Sequence, residues 1–451
     1  MSKKKNIQRK RQAAEQRRPF AFEPSYDVVV VGVGAAGLAC VAACLLNAQA
    51  SGCRMPQILV VEQGKRVGAS VLRSGNGRCN FSNSQLDTAR YRNGDFVSCV
   101  LGSLPDGPVA SVLDWFEARG LVWEEALGSG GLLYPFSNKA SSVLEVLTPF
   151  LESGSVEVHT CVKARQVAPT EGGFEVLLEE IPDAKTNGAA KTTEALCPQT
   201  ASVKAAQVVL APGGGFSPSL LQLCAPGVSL HPWKATLGPL AASFPAGVRA
   251  DSLDGIRMKA RLSLPGKSFS EEGEVLFRPY GVSGIVVFNA SRYADRGDVL
   301  CLDMMPGKEL DQVAALLRAR AARLGGAPAR QVFRGFVLPA LAEALLAAAG
   351  VHASAPLSNE DCDRLAQALK AFPLEVQGIA DERQCQVHRG GVAVSGVSPQ
   401  TLEVKGQPGL YILGEALDVD GPCGGYNLHW AWACGILAGS EIARKLGKDQ
   451  A

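Results

Sequence analysis

The sequence predicts a mixed α/β protein whose parallel-sheet domain is interrupted by a β-rich and helical insert. Three observations predict it. Asp27-Val28-Val29-Val30-Val31 runs into Gly32-Val33-Gly34-Ala35-Ala36-Gly37 and then an Ala/Leu/Cys stretch, which reads as strand, glycine turn and helix. From about residue 236 the pattern changes to strand-like runs between glycine turns, and then to helical periodicity. At the far end Leu410–Leu413 returns to strand character, enters a glycine turn and ends in a helix.

In chain order, residues 1–25 lack apolar periodicity and are expected to be a basic, disordered tail. Tyr26–Val31 is largely apolar, as expected of a parallel strand covered on both faces. Gly37–Leu46 is the first helix, Asn47–Gln57 a connecting loop, and Ile58–Glu62 the second strand. Val109–Arg119 and Ala140–Leu151 read as amphipathic helices joined through a loop at Gly128–Gly131. Val156–Val162, Ala164–Val167 and Phe174–Glu179 alternate like strands of a small antiparallel sheet, and residues 182–199 are a polar hairpin tip or loop. Ala206–Leu210 is another buried strand, ending in Ala211-Pro212-Gly213-Gly214-Gly215.

Beyond it, Met258–Leu264, Gly273–Phe277 and Ile285–Ser291 read as strands, and Leu310–Arg323, Gln331–Phe336 and Ala340–Ala349 as helices. Ser358 caps a further helix, with Asp361 three positions on. Val387–Val394 and Leu410–Leu413 are strands, and Tyr426–Leu446 is the last helix.

Composition narrows the class. With 451 residues, 47% of them hydrophobic and 20% charged, the chain can bury a large core and divide into two or three domains. Eight Lys/Arg lie within residues 1–25 against Glu15 and Glu23, so the remainder is mildly acidic and gives no support to a nucleic-acid-binding body. The thirteen cysteines include no CxxC and no zinc-ligand spacing, which fits buried thiols in a reducing cytoplasm and argues against a metal site or disulfide-reductase chemistry. The uncharged run Val28–Leu46 behind a basic tail resembles a signal anchor, but its four valines and three turn glycines argue for a strand and turn, so no membrane span is expected.

The chemistry is carried by three stretches. In Gly32-x-Gly34-x-x-Gly37 the first glycine permits the tight turn and the second lets a pyrophosphate approach the backbone. The third allows close helix–strand contact. The helix start at Ala35 and Ala36 offers unbonded N–H groups to phosphates, and Glu62, beside Gln63, closes the second strand as an acceptor for a ribose diol. The alternative is that these glycines serve packing alone. The pattern does not separate NAD from FAD. Arg73-Ser74-Gly75-Asn76-Gly77-Arg78-Cys79-Asn80-Phe81-Ser82-Asn83 favours FAD, because its glycines, short polar groups and arginines suit a ribityl–pyrophosphate chain; a plain surface loop is the alternative. The third stretch, Gly414-Glu415-Ala416-Leu417-Asp418-Val419-Asp420-Gly421-Pro422-Cys423-Gly424-Gly425-Tyr426-Asn427, aims a second helix N-terminus at the N1/C2=O edge of a flavin. Asp418 or Asp420 could bind ribityl hydroxyls, or simply cap the turn.

With these motifs the chain resembles the bacterial NAD(P)/FAD-dependent oxidoreductases, a group that includes aminoacetone-oxidase-like flavoproteins and a bile-acid 3-oxo-Δ4,6 reductase. Supporting segments are Tyr134-Pro135-x-Ser137-x-Lys139-Ala140, Gly273-Glu274-x-Leu276-Phe277, Tyr280-Gly281-Val282-Ser283-Gly284 and Gly390-Gly391-Val392. The resemblance implies bound FAD in a two-part, glutathione-reductase-like Rossmann domain, with an inserted β-barrel and helical domain. The chain departs from the family at His388, Arg278, Asn76 and the Ala211-Pro212-Gly213 turn, which leaves the substrate open.

The domain expectation is a tail over 1–25, an FAD domain over 26–235, a β-rich insert over 236–305, a helical domain over 306–372, a return of the insert over 373–386, and the second part of the FAD domain over 387–451. Cofactor contacts are expected from Gly32, Gly34, Ala35, Ala36, Gly37, Glu62, Gln63, Arg73, Ser74, Gly77, Arg78, Cys79, Asn80, Gly414, Glu415, Asp418, Asp420, Gly424, Gly425, Tyr426 and Asn427. Tyr426, His388, Tyr280 and Cys79 are candidate proton donors or substrate orienters. The expected activity is flavin-mediated hydride transfer on a small organic substrate, including reduction of an enone C=C bond with NADH or NADPH as transient reductant. The alternatives are an amine or aminoketone oxidase using oxygen, an NAD(P)-only dehydrogenase, and an RNA-associated flavoprotein. A cytoplasmic location is expected, and no nucleic-acid partner.

Overall fold

The structure is a computed structural model that describes residues 20–128, 130–182, 198–217, 219–220 and 227–448. The expected tail over 1–25 lies outside the described residues as far as residue 19, and so does the expected hairpin tip from 183 to 197.

The described residues form two compact units, one drawn from the stretches 1–233 and 389–451 and the other from 234–388. The first unit is built on a seven-stranded sheet. Strand β1 (Ser25–Val31) leads into helix α1 (Ala35–Ala50) and β2 (Ile58–Glu62). The helix runs four residues past its expected end. Strands β3 (Val156–Thr160), β4 (Val162–Thr170), β5 (Gly173–Glu180) and β6 (Thr200–Leu210) follow. Their spatial order is β3-β2-β1-β6-β5-β4. The sheet is parallel across β3, β2, β1 and β6, with Val30 opposite Val60 and Val209, and Val60 opposite Val158. Strand β5 runs antiparallel to both β4 and β6.

This corrects the reading of Val156–Val162 as a strand of a small antiparallel sheet, while the antiparallel pairing expected of the next two strands is present. Strand β3 extends the parallel sheet, and β4 and β5 continue it. An outer strand is solvated on one face, so its alternation looks the same whether its neighbour is parallel or antiparallel.

A small sheet of Ser82–Asn83, Leu132–Pro135 and Trp123–Glu125 flanks this core, with two short strands where only a glycine loop was expected. Ala140–Leu151 divides into an α-helix, Ala140–Glu145, and a 3-10 turn, Thr148–Glu152, because Pro149 cannot donate to a continued helix.

The chain passes between the units through β7 (Leu230–Thr236) and β8 (Val387–Val392), which pair as a two-stranded sheet. It then completes the first unit with β9 (Leu410–Ile412), parallel to β6, and α2 (Tyr426–Lys448). Helices α2 and α1 pack face to face at glycines. A Cβ on Gly435 would lie 2.4 Å from the Ala36 carbonyl oxygen, and one on Gly439 2.3 Å from that of Cys40. Cys40, Cys44 and Cys434 are buried in this layer, and burial pushes their thiols up, so they act as small apolar residues. The two ends of the chain thus make one core.

The second unit contains a closed six-stranded barrel in the order Leu240–Ser243, Gly281–Ser283, Phe269–Arg278, Arg257–Leu264, Val299–Asp303 and Phe372–Ile379, the last pairing with the first. Ile285–Ser291 is an α-helix here, which corrects the strand expected from its three consecutive β-branched residues. Val286 and Val287 are buried and Val286 packs at Gly273, so tertiary packing overrides local preference. Helices Leu310–Arg323, Pro339–Ala348 and Asn359–Lys370 share one apolar core with the barrel. Ser358 and Asp361 form the reciprocal capping box. Gln331–Phe336 is a 3-10 turn, Ala329–Phe333, rather than an α-helix.

Candidate functional site

The first glycine turn is built as its spacing demands. Gly32 has φ +93°, and a Cβ there would lie 2.3 Å from the Ala211 carbonyl oxygen. A Cβ on Gly37 would come within 2.1 Å of the Gly32 oxygen. Gly34 is the N-cap of α1, with no side-chain cap and no acid in the first turn. Its carbonyl accepts the first helical bond, from Leu38 N–H, so the N–H groups of Ala35, Ala36 and Gly37 precede the ladder. Glu62 accepts from Val33 N–H at 3.1 Å and Gly64 N–H at 2.7 Å, which pins the end of β2 to the turn. A carboxylate has about four acceptor sites, so it retains capacity for a diol. Gln63 beside it is exposed.

The polar loop is a chain of left-handed residues. Ala69–Arg73 is a short helix, followed by a turn over Ser74–Gly77 in which Gly75, Asn76 and Gly77 have φ +54°, +56° and +83°. Ser74 Oγ donates to the Val71 carbonyl at 2.6 Å. Arg73 and Arg78 are exposed, and Arg78 stacks over Tyr134 at 4.9 Å. Cys79 is buried at φ +60°; burial pushes its thiol up to about 11, against a hydrogen bond with Ser74. Asn80 Oδ1 is buried with no hydrogen-bond partner. Asn83 Nδ2 donates to the Gly424 carbonyl at 2.9 Å, tying the loop to the C-terminal turn.

In that turn Gly414 packs against Ala36 of α1, and its carbonyl accepts from Trp430 Nε1 at 3.1 Å. Glu415 is half-buried. Gly424 and Gly425 have φ +116° and +92°, and a Cβ on Gly425 would lie 2.2 Å from the Ser82 carbonyl oxygen and 3.0 Å from Asn80 Oδ1. Asn427 staples the turn to α2: its Oδ1 accepts from Gly421 N–H at 2.8 Å and its Nδ2 donates to the Gly421 carbonyl at 2.9 Å. Tyr426 is buried; its hydroxyl accepts from Asp87 N–H at 3.3 Å and donates to the Gln85 carbonyl at 3.4 Å.

Both acids of the turn face inward. Asp418 accepts from Arg92 Nε and His231 Nδ1, each at 2.7 Å, and from Gly390 N–H at 3.1 Å. Burial opposes its ionisation, but the bonds from Arg92 and His231 outweigh it and hold the carboxyl below the usual carboxylate range. Asp420 receives Arg389 Nε at 3.1 Å and Nη2 at 3.4 Å. Tyr280 and His388 belong to the second unit. Tyr280 sits at the barrel turn after Arg278, and His388 lies on β8 beside Arg389.

Sequence reasoning missed Arg92, His231 and Arg389. Arg92 lies in a loop without a motif; the signals were an Arg beside Gly390-Gly391, and a His in a chain with five histidines. It also missed His429, which is fully buried. Its Nε2–H donates to the Pro108 carbonyl at 2.8 Å, so Nδ1 accepts from Ser82 Oγ at 2.8 Å. Burial lowers its pKa to about 4, against the Pro108 bond.

These residues fit FAD. An uncapped, acid-free helix start suits a pyrophosphate, Glu62 suits a ribose, and the orphaned Asn80 Oδ1 beside Gly425 is an acceptor awaiting a donor. Among the described residues no cluster could hold a metal ion, and no helix is long and apolar enough to cross a membrane.

The family described as HI0933-like protein Rossmann domain matches residues 26–441. The chain is 30% identical to a 3-dehydro-bile acid delta(4,6)-reductase from Clostridium scindens, over 92% of this chain and 98% of that protein. It is 27% identical to a ribosomal RNA dihydrouridine synthase from Escherichia coli and 25% identical to one from Haemophilus influenzae, with the same coverage. A quinol-fumarate reductase is a more distant likeness, with a TM-score of 0.45 at 13% identity over 95% of this chain and 72% of that one. The chain therefore belongs to the HI0933-like Rossmann-domain family and is an FAD-dependent oxidoreductase.

Proposed function

We propose that the protein reduces a C=C bond conjugated with a carbonyl group, taking its electrons from NADH or NADPH. The observation that carries this reading is the start of α2, which brings Gly425 against Ser82 and Asn80 and is free of acid in its first turn. A positive helix end there favours negative charge on a reduced flavin. When bound and reduced, FAD supplies a hydride; the chain holds it, excludes water and provides a proton for the second carbon. The names of the relatives point the same way. A delta(4,6)-reductase acting on a 3-dehydro compound and an enzyme that makes dihydrouridine both add hydrogen across a bond conjugated with a carbonyl. The test is incubation of the holoprotein with NADH or NADPH and a panel of enones, uridine-bearing RNA and amines. A product heavier by two hydrogens supports the reading; amine oxidation with peroxide formation in its place overturns it.

A second reading, RNA as the carrier of the reducible bond, is favoured by one feature of the second unit. Residues 318–334 hold five arginines and no acid, and Arg323, Arg330 and Arg334 are exposed. Arg318 is paired with Asp363, and Arg320 is held by the carbonyls of Val332 and Arg334. Arginine forks suit phosphate oxygens. RNA retention that weakens with salt and is lost in the triple variant R323E/R330E/R334E supports this reading; retention unchanged in that variant rejects it.

A further inference from the structure

The Asp418-Val419-Asp420 tandem is costly to build. Burying two carboxylates costs several kcal/mol for each unless it is paired. Both side chains are sealed, at 1% and 0% exposure, while the groups they hold are open: Arg92 is 39% exposed, His231 49% and Arg389 23%. The acids therefore serve as a fixed base that presents cationic donors outward.

Donor accounting gives the same picture. Of the five N–H groups of an arginine, Arg92 places its Nε on Asp418, leaving both terminal nitrogens; Arg389 places Nε and Nη2 on Asp420, leaving Nη1. His231 gives its Nδ1–H to the carboxylate of Asp418, which fixes the ring orientation and leaves Nε2 as the ring nitrogen outside that bond. All three side chains are locked to one short segment. Arg92 N–H also bonds the Asp420 carbonyl, and Asn93 Nδ2 the Asp418 carbonyl. The next residue after the tandem, Gly421, is the one stapled to the first turn of α2 by Asn427. The cluster and the helix start assigned to the flavin edge are thus joined through adjacent residues.

We propose that Arg92, His231 and Arg389 form the substrate-carbonyl subsite, taking a planar oxygen that becomes negative during reduction. This rests on the conjugated-bond reading above. With reduced FAD bound, the hydride it would supply would form the new C–H bond at the β-carbon as the π bond breaks. The displaced electron pair passes to the carbonyl oxygen, where the two guanidinium groups stabilise the enolate. The imidazolium of His231 then gives its Nε2 proton to the α-carbon and becomes neutral imidazole. The ligand class is an α,β-unsaturated ketone or imide, or an oxyanion that mimics its enolate.

The probe is 4-nitrophenolate, whose conjugated oxyanion resembles the enolate, titrated into the FAD-loaded protein and followed by its own absorbance. Affinity falls more than about tenfold in Arg92→Gln and in Arg389→Gln and recovers partly in Arg92→Lys. His231→Asn weakens phenolate binding less than the glutamine variants do but slows enone reduction about a hundredfold or more. In the unaltered protein labelled with 13C-histidine, the His231 Cε1 resonance, assigned by its loss in His231→Asn, moves on phenolate addition. Variants too unstable to titrate leave this last measurement decisive, and a resonance that does not move overturns the proposal. So does a phenolate affinity unchanged in both FAD-loaded glutamine variants. Arginine-dependent phenolate binding in a protein that reduces no enone keeps the subsite and rejects the reaction; enone reduction untouched by all three substitutions keeps the reaction and rejects the subsite.

Discussion

Gly435 of α2 faces Ala36 of α1 so closely that a Cβ on the glycine would lie 2.4 Å from the alanine carbonyl oxygen. Ala36 is also in the first turn of the helix whose N-terminus would meet the pyrophosphate. One contact therefore joins the end of the chain to the beginning of the cofactor site. Gly435→Val forces these helices apart, and overpacking of this kind costs about 3 kcal/mol. Thermal melting at a lower temperature and loss of FAD during gel filtration are expected; a variant that melts normally and keeps its flavin contradicts the account.

Gly425→Ala addresses the other end of the site. Its φ of +92° disfavours any side chain, and the added Cβ would lie 2.2 Å from the Ser82 carbonyl oxygen. FAD affinity is expected to fall by about tenfold or more, since an error of about 1.4 kcal/mol suffices. Fluorescence titration of the apoprotein measures this. The second unit has its own core, so its contribution to the far-ultraviolet circular dichroism remains.

His429 gives stability a pH dependence. Its pKa is lowered from 6.5 to about 4 by burial, so between those values the unfolded chain binds the proton that the folded chain refuses. Its contribution is complete above pH 6.5 and declines as the pH falls toward 4. The expected loss between pH 8 and pH 5 is about 2 kcal/mol. Urea unfolding of the native protein and of His429→Gln, compared at the two pH values, checks it; identical pH slopes would rule the role out.

Asp418→Asn removes the charge that holds Arg92, His231 and the Gly390 N–H. The cations it frees, Arg92 and His231, are 39% and 49% exposed and return to water, so the cost is that of the lost charge-assisted hydrogen bonds, about 1.5–3 kcal/mol, and the variant is expected to be destabilised at neutral pH. Because the folded carboxyl titrates below its usual range, the native advantage is present above about pH 4 and lost as the pH falls through the folded value. Unfolding free energies that already differ little at pH 7 would contradict the buried pairing.

The sequence makes the frame legible where backbone geometry and residue type are bound together. Gly32 and Gly37 announce their turn because a Cβ at either would run into backbone, and the Ser358 and Asp361 box declares its helix start. Ile285-Val286-Val287 misleads because its β-branched preference is local, whereas its helix is fixed by packing on Gly273. The cations were the least legible part of the site. Arg92, His231 and Arg389 are 139, 158 and 297 positions apart in pairs only in sequence; Asp418 and Asp420 gather them, and no periodicity or spacing rule encodes such long-range pairing. The sequence offers Asp418 and Asp420 as ligands for ribityl hydroxyls or as caps of the turn, and a carboxylate in a glycine turn gives no sign of which cation it will also meet.

The most direct test of the account is an oxygen-free mixing experiment. Holoprotein reduced to completion with one equivalent of dithionite is mixed with a conjugated enone, and the flavin band near about 450 nm is followed. The account predicts that the band returns without oxygen, with one saturated ketone formed for each flavin. A flavin that stays reduced under every enone, and regains its colour only when air is admitted, would contradict it.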